Sequence, residues 1–414
     1  MSRFDVVIVG AGPAGSLAAF SLASEGLRVA LLDKESFPRD KPCGDGLTVR
    51  ALDELGRIGL GNWVADSRFH RPSILRIGSP SGDLVEIHGA MLAQDHQDLA
   101  CFIPRRELDQ RLVDLAVERG AQLFEGHSAV AMAYDENGIL VKATRGHRTA
   151  IFSAKIAVAA DGAAGAFSRA AGLHQEKPAG TAIRTYYLGR DPCPDCIDVF
   201  YESYTLPHYC WIFPLGDGMC NLGLGMLTSR ARRGTITGTL QRFLLENAWA
   251  RSRLRGMQPL SRPRIACLRA NTAMCRTVQD GLLAVGDAAG LVSPLTGAGI
   301  SSALRSGYLA AFHIKEAFAA GDFTAKGLAG YTRSLKKEFG QRFARERLVC
   351  RLHASAGFLN RLTALAKTDR FARRTIVQIL AETAPSTGLP SLLALARLLW
   401  TTSTAQGGAA PKGR

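Results

Sequence analysis

A cysteine, an aspartate and two glycines stand together in KPCGDG, residues 41–46. A thiol and a carboxylate at this spacing can hold or pass a proton, and the glycines let backbone come close to a flat ligand. Upstream lies GAGPAG (10–15). Its glycines have separate tasks: Gly10 allows a tight turn, Gly12 the approach of a pyrophosphate, and Gly15 close packing of a helix on the strands. Far downstream, GDAAGLVSPLTGAGI (286–300) sets Asp287 among small residues ahead of a second glycine loop.

These groups need elements to position them. FDVVIV (4–9) reads as a buried strand. SLAAFSLASEG (16–26) reads as a short buried helix with Leu17, Phe20 and Leu22 inward, and LRVALLD (27–33) as a second strand ending in an acid. Strand, glycine turn, helix, strand and acid within about 30 residues form a complete dinucleotide-binding unit. Pro13 and Ala14 open the helix whose N-terminus faces the phosphates. Asp33 is placed to accept from a ribose hydroxyl, with Lys34 beside it.

The downstream segment separates FAD from NAD. The strand LLAV (282–285) ends at Gly286-Asp287, where the acid can accept from a ribityl or ribose hydroxyl. The loop through Pro294, Gly297, Ala298, Gly299 and Ile300 then starts a long helical pattern. Its N-terminus would face the pyrimidine edge of a flavin, which is negative when reduced. An NAD domain needs no such late element. Two further pieces fit. IFSAKIAV (151–158) leads to a turn at Asp161-Gly162, after which Ser168 and Arg169 open a helix. IPRRELDQRLVDLAVERG (103–120) is an amphipathic helix with Leu108, Leu112 and Leu115 on one face. Arg105, at its start, either reaches the cofactor or is a surface charge.

The chain has 414 residues, 47% of them hydrophobic, and a net charge of +15. The basic residues are spread through the second half and match no nucleic-acid-binding motif, so a nucleic-acid partner is not expected; an anionic cofactor or an acidic membrane face is. No secretory signal or membrane span is read, and nine scattered cysteines point to a reducing cytoplasm. Cys193 and Cys196 (CPDC) are either two loop thiols or a redox or metal pair. No metal-ligand cluster and no GxSxG elbow is read, and His208 and His313 are taken as non-catalytic.

Together these residues resemble the geranylgeranyl reductase branch of FAD-dependent oxidoreductases with the p-hydroxybenzoate hydroxylase-like fold. The resemblance rests on GAGPAGSLAA with Asp33 where a glutamate is usual, and on FPRDKPCGDGLTVRAL (37–52). It rests also on RRELDQRL, matching at Arg105, Leu108, Asp109 and Leu112, on YCWIFPLGDGMCNLGLG (209–225), and on GDAAGLVSPLTGAGISSAL (286–304). It covers roughly residues 3 to 330. It implies an α/β protein with a Rossmann-like FAD-binding domain (1–60, 101–175 and 276–330). An inserted, mainly antiparallel β-sheet substrate domain (61–100 and 176–275), a helical C-terminal region (331–402) and a disordered tail (403–414) complete it.

The resemblance also places KPCGDG near the isoalloxazine. Cys43 and Gly44 then touch the cofactor, and Cys43 and Asp45 are candidate catalytic residues. Cys43 is either a proton donor, a residue of shape and polarity, or a buried inert thiol. Asp45 either holds the loop or joins a hydrogen bond. Tyr209, Trp211 and Phe213 alternate and so share one face, lining an apolar substrate cavity or packing as core. Tyr201 and Tyr204 fall on opposite faces if their strand is regular.

The implied reaction is reduction of carbon–carbon double bonds in a prenyl or geranylgeranyl-type hydrophobic or lipid substrate. NAD(P)H or a reduced carrier would supply electrons. The alternatives on the same scaffold are a monooxygenase working through a C4a-hydroperoxyflavin and, less favoured, a halogenase. The basic and apolar C-terminal segment, ALAKTDRFARRTIVQIL to LLALARLLW, either caps the cavity, packs plainly, or docks on a membrane.

Overall fold

The computed structural model describes residues 2–91, 99–174, 176–229, 235–270 and 275–383. The C-terminal GLPSLLALARLLW (388–400) and the expected tail lie outside the described residues. The apolar run VVIV (Val6–Val9) is buried on both faces and forms a central strand of a six-stranded sheet. The order is Val278–Gln279, Leu282–Ala284, Ile156–Ala159, Val6–Val9, Val29–Leu32 and Gln122–Phe124. All pairings are parallel except that of the first two strands. Continuous Val, Leu and Ala runs suit such strands because helices cover both faces.

The helix Pro13–Ser24 begins with proline, whose missing N–H costs nothing at a first helical position. It packs on the long helix Ile300–Ala320 at Gly307, where a Cβ would come within 2.3 Å of the Ala14 carbonyl oxygen. The helix Arg105–Glu118 buries Leu108, Leu112 and Leu115, as their spacing predicts, and adds Arg105 and Asp109 to its buried face. The helix after Asp161 begins at Ala166, two residues before the expected start; Ser168 lies inside it.

The inserted sheet runs Gln258–Pro259, Gly180–Leu188, Met219–Leu227, Cys210–Gly216, Cys196–Phe200, Ile74–Gly78 and Leu84–His88. Arg264–Leu268 also pairs with Gly180–Leu188. The sheet is antiparallel except between Cys196–Phe200 and Ile74–Gly78. The strand containing Phe200 stops there, so Tyr201 and Tyr204 are not on one regular strand. Two helices, Thr235–Glu246 and Ala248–Arg253, cover its far side through Phe243, Leu240 and Ala250. A four-stranded sheet of Ser2–Arg3, Arg148–Ala154, Gly138–Arg145 and Ser128–Asp135 is a further layer that sequence reading did not resolve. Its outer strand alternates poorly, which hides the period.

The C-terminal helices Gln341–His353, Ala356–Thr368 and Arg370–Leu380 close the molecule. Leu359, Ala366, Ala372 and Val377 pack against Leu75, Ile77, Val85 and Ile87 of the inserted sheet. Among the described residues no helix is long and apolar enough to cross a membrane.

Candidate active site

The six-stranded sheet, the inserted sheet and the Pro294–Gly299 loop enclose a cavity of about 1050 Å³. Gly10, Gly12, Pro13, Ala14, Asp33, Lys34, Cys43, Gly44, Arg105 and Asp161 are on its wall, with Gly286, Asp287, Pro294, Gly297, Gly299 and Ile300. Segments far apart in sequence thus converge on one space. Ala298 lines an adjoining cavity instead. Gly15 faces away, toward its own loop: a Cβ there would lie 1.9 Å from the Gly10 carbonyl oxygen. Gly10 itself has φ +104° and abuts the Ala160 carbonyl.

The residues fit FAD on observations of shape and polarity. At Gly12 a Cβ would meet only the Arg39 guanidinium, at 3.7 Å, leaving room for a phosphate beside the N-terminus of Pro13–Ser24. Asp33 accepts from the Ala11 N–H (2.8 Å) and the Glu35 N–H (3.0 Å), so it shapes the loop as well as facing the cavity. Asp161 accepts from the Ser168 N–H through Oδ2, while its buried Oδ1 has no partner among the described residues. That orphaned acceptor on the cavity wall suits a sugar or ribityl hydroxyl. Burial pushes the Asp161 and Asp287 carboxyls up; near Asp287, Lys41, Arg105 and Arg269 oppose the rise.

Arg105 is a fixed cation, not a surface charge. It makes a two-point contact with Asp109, 2.7 and 2.8 Å, and Asp109 also takes Arg39 at 2.8 Å. Arg39 reaches back to Asp33 at 3.4 Å. Asp109 therefore ties two wall arginines to one carboxylate, a role invisible in the sequence, where Arg39 and Asp109 are distant.

Asp45 takes the loop-holding role. It is fully buried, at φ +60°, and absent from the lining of both cavities. Its carboxylate accepts from Tyr186 Oη (2.7 Å), Asn221 Nδ2 (2.7 Å) and the Arg105 N–H (3.1 Å). The expectation of Asp45 as a catalytic residue is corrected on this geometry: its carboxylate faces three donors inside the protein and lines neither cavity. Asn221 also donates to the Cys43 carbonyl at 2.7 Å and accepts from Trp211 Nε1 at 2.9 Å. One buried amide thus joins the KPCGDG turn to the aromatic strand. Neither Tyr186 nor Asn221 was singled out in the sequence, because only strand register brings them there.

Cys43 is on the wall of both cavities. Burial pushes its thiol up, against the pull of the Arg105 guanidinium beside it, so it carries its proton at neutral pH. Tyr209, Trp211 and Phe213 form a continuous row, with ring centroids 6.1 and 5.8 Å apart, and all three face the cavity. His208 also lines it, and burial lowers its pKa to about 4, leaving it neutral. His313 is elsewhere, against Glu316 and Ser334. Cys193 and Cys196 are free thiols, 3.7 and 3.4 Å from one Arg76 nitrogen.

The Pro294–Gly299 loop is anchored from behind. Ser293 Oγ donates to Glu346 at 2.7 Å and accepts from the Thr296 N–H at 3.1 Å; the Thr296 carbonyl accepts from Tyr209 Oη at 2.5 Å. Burial raises the Glu346 pKa to about 6, against Arg342 at 3.6 Å, with Glu382 adding to the rise and Arg50 opposing it. A carboxyl raised from 4.5 binds more protons in the folded state, so its contribution to stability falls as pH rises from 4.5 to about 6. The loss is on the order of 2 kcal/mol. Glu346→Gln removes this term. Thermal melts should show the variant gaining on wild type between those pH values, and parallel curves would contradict the assignment.

The family comparisons agree with this geometry. Residues 3–189 match the family model described as FAD binding domain. The menaquinone reductase of Mycobacterium tuberculosis is 36% identical over 74% of this chain and 75% of its own length. The chain belongs to the geranylgeranyl-reductase-like family of FAD-dependent oxidoreductases. Digeranylgeranylglycerophospholipid reductase 2 of Methanopyrus kandleri is 31% identical over 82% of this chain and 84% of its own. Among solved structures, a geranylgeranyl bacteriochlorophyll reductase-like protein of Thermoplasma acidophilum is 26% identical. It superposes with a TM-score of 0.79, covering 89% of this chain and 92% of that one. As an FAD enzyme of this family, the protein has the Rossmann-like domain, inserted sheet and C-terminal helices that the resemblance implied.

Proposed function

We propose that this enzyme reduces carbon–carbon double bonds in the prenyl chain of an amphiphilic lipid such as a prenylated quinone or a geranylgeranyl lipid. One observation carries the reading. A second cavity of about 170 Å³ adjoins the first, with a wall of Leu75, Leu99, Phe102, Ile197, Val199, Val377 and Leu380. The two share Cys43, Gly44, Tyr209, Phe213, Thr296, Gly297, Gly299 and Ile300 as lining. A cofactor space with charged groups on its wall beside a smaller, mainly apolar one suits a substrate with a hydrocarbon chain. The names of the relatives support the same class.

When bound and reduced, FAD supplies a hydride. The chain's own residues do the rest. The glycine loop, Asp33 and the Asp287–Ile300 segment hold the cofactor. Phe213, Tyr209 and the aliphatic wall orient the alkene and exclude water. Cys43 holds a proton at Sγ on the wall common to both cavities, available to the second carbon of the double bond directly or through water. Electrons enter from NAD(P)H or a reduced carrier. The net charge of +15 favours approach to the acidic inner face of a membrane, where such a substrate resides.

The test is anaerobic. Photoreduced holoenzyme is mixed with geranylgeranyl lipids, and flavin colour and product mass are followed. Substrate-dependent return of colour, with product heavier by two hydrogens per bond, is expected. Turnover only with oxygen, and a product carrying one more oxygen atom, would establish a monooxygenase instead.

A further inference from the structure

We propose that Arg184 is the recognition site for a negatively polarised oxygen on the substrate's head group, whether a quinone carbonyl or an anionic ester; this rests on the prenyl-lipid reading above. Arg184 is the largest fully buried side chain among the described residues, 1% exposed, and it lines the main cavity. One of its nitrogens donates to Asp40 (2.5 Å) and to the Lys41 carbonyl (3.3 Å). Its Nε and its other terminal nitrogen are buried with no partner among the described residues.

Arg39, Arg342 and Arg347 each have one buried nitrogen with no hydrogen-bond partner among the described residues, whereas Arg184 has two, and the other arginines as deeply buried have none. Arg105 has Asp109; Arg253 has Asp191 and Asp198; Arg269 has the Ala163 and Glu176 carbonyls. Leaving guanidinium N–H groups dry and unpaired is costly, and a ligand oxygen removes the cost. Charge points the same way. Asp40 is shared between Arg184 and Arg264, which lies 3.5 Å from it. The Asp45 carboxyl also acts on Arg184 through charge, but it accepts from neither of the two unpartnered nitrogens.

The position assigns the oxygen to the substrate side. Arg184 pairs across the sheet with Gly223, and Gly223 with Trp211. The Trp211 ring lies over Gly223, where a Cβ would come within 2.3 Å of it. Arg184 therefore stands next to Trp211 on the inserted sheet's cavity face. It also stacks on Tyr186 at 4.0 Å, whose hydroxyl is fixed by Asp45. By contrast Arg39 stands beside Gly12, at the phosphate end of the dinucleotide loop. A head-group oxygen held at Arg184 leaves the chain running along the aromatic row toward the apolar cavity.

The test uses oxidised holoenzyme, so binding is read without turnover from the perturbation of flavin absorbance. The probes are a geranylgeranylated naphthoquinone, geranylgeranyl phosphate and a geranylgeranyl hydrocarbon with no head. Arg184→Gln should weaken at least one headed probe about tenfold or more, leave the headless one unchanged, and keep FAD content and melting temperature. Arg184→Lys should recover part of the loss. Loss of FAD from the purified Arg184→Gln variant would assign the oxygen to the cofactor and overturn the proposal. Equal loss for all probes, or none, would overturn it too. Wild type that binds headed probes through Arg184 yet reduces none anaerobically would sink the reductase reading alone.

Discussion

Asp45→Ala should cost about 3–5 kcal/mol of stability, more than an ordinary substitution. Three donors lose this acceptor at once: Tyr186 Oη, the Arg105 N–H and one of the two N–H groups of Asn221 Nδ2, the other still donating to the Cys43 carbonyl. Each buried donor left unpaired costs roughly 1–3 kcal/mol. The backbone adds to this, since φ at Asp45 is +60°, where alanine is disfavoured and asparagine tolerated. Asp45→Asn keeps the backbone and one acceptor oxygen and should cost less than half as much. Chemical denaturation of both variants measures the difference. An alanine variant within about 1 kcal/mol of wild type would show that the KPCGDG turn is held by something else. Flavin content should fall with Asp45→Ala, because the same turn presents Cys43 and Gly44 to the cavity.

The second large effect separates two glycines of one motif. At Gly15 a Cβ would sit 1.9 Å from the Gly10 carbonyl oxygen, a backbone atom that cannot swing away. Gly15→Ala should therefore push the helix Pro13–Ser24 off its strand, at about 2–4 kcal/mol. Gly12 is different. Its φ of −79° and ψ of −176° suit any residue, and the Arg39 guanidinium, its nearest neighbour, lies at ordinary contact distance, 3.7 Å. Gly12→Val should leave the apoprotein's melting temperature near wild type while its side chain fills the phosphate space, yielding colourless protein. Gly15→Ala should lower both. Visible flavin absorbance and thermal melts on the two variants decide it; Gly12→Val retaining full flavin would remove that residue from the cofactor cradle.

Much of the site was legible because its signals are local. GAGPAG with Asp33, and GDAAGLVSPLTGAG, each join a turn, a helix start and an acid within one short unit, and they converge on one cavity. The Tyr209, Trp211 and Phe213 row followed from strand alternation alone. What was not legible depends on register between strands or on contacts across the chain. Asn221, Tyr186 and Arg184 reach the site only through the pairing of Gly180–Leu188 with Met219–Leu227. The sequence leaves Asp45 open between holding the loop and a catalytic place beside Cys43 and Gly44, which do line the cavity; a left-handed residue after Gly44 turns the carboxylate inward. Arg105 was left between cofactor contact and surface charge, and only the fold supplies Asp109 and Arg39 as its frame.

Three neighbouring strands of the six-stranded sheet come from residues 6–9, 156–159 and 282–284. Nothing local can register them, so their pairing must wait for long loops to close, and chains of such high contact order fold slowly. A nascent chain emerging from the ribosome presents the phosphate loop first and the Asp287–Ile300 half last. If both segments hold the cofactor as proposed, its site is complete only once both have emerged. FAD accordingly acts as a late fastener, raising the stability only of the finished fold by mass action. Its supply in the cell would set how much completed chain survives proteolysis.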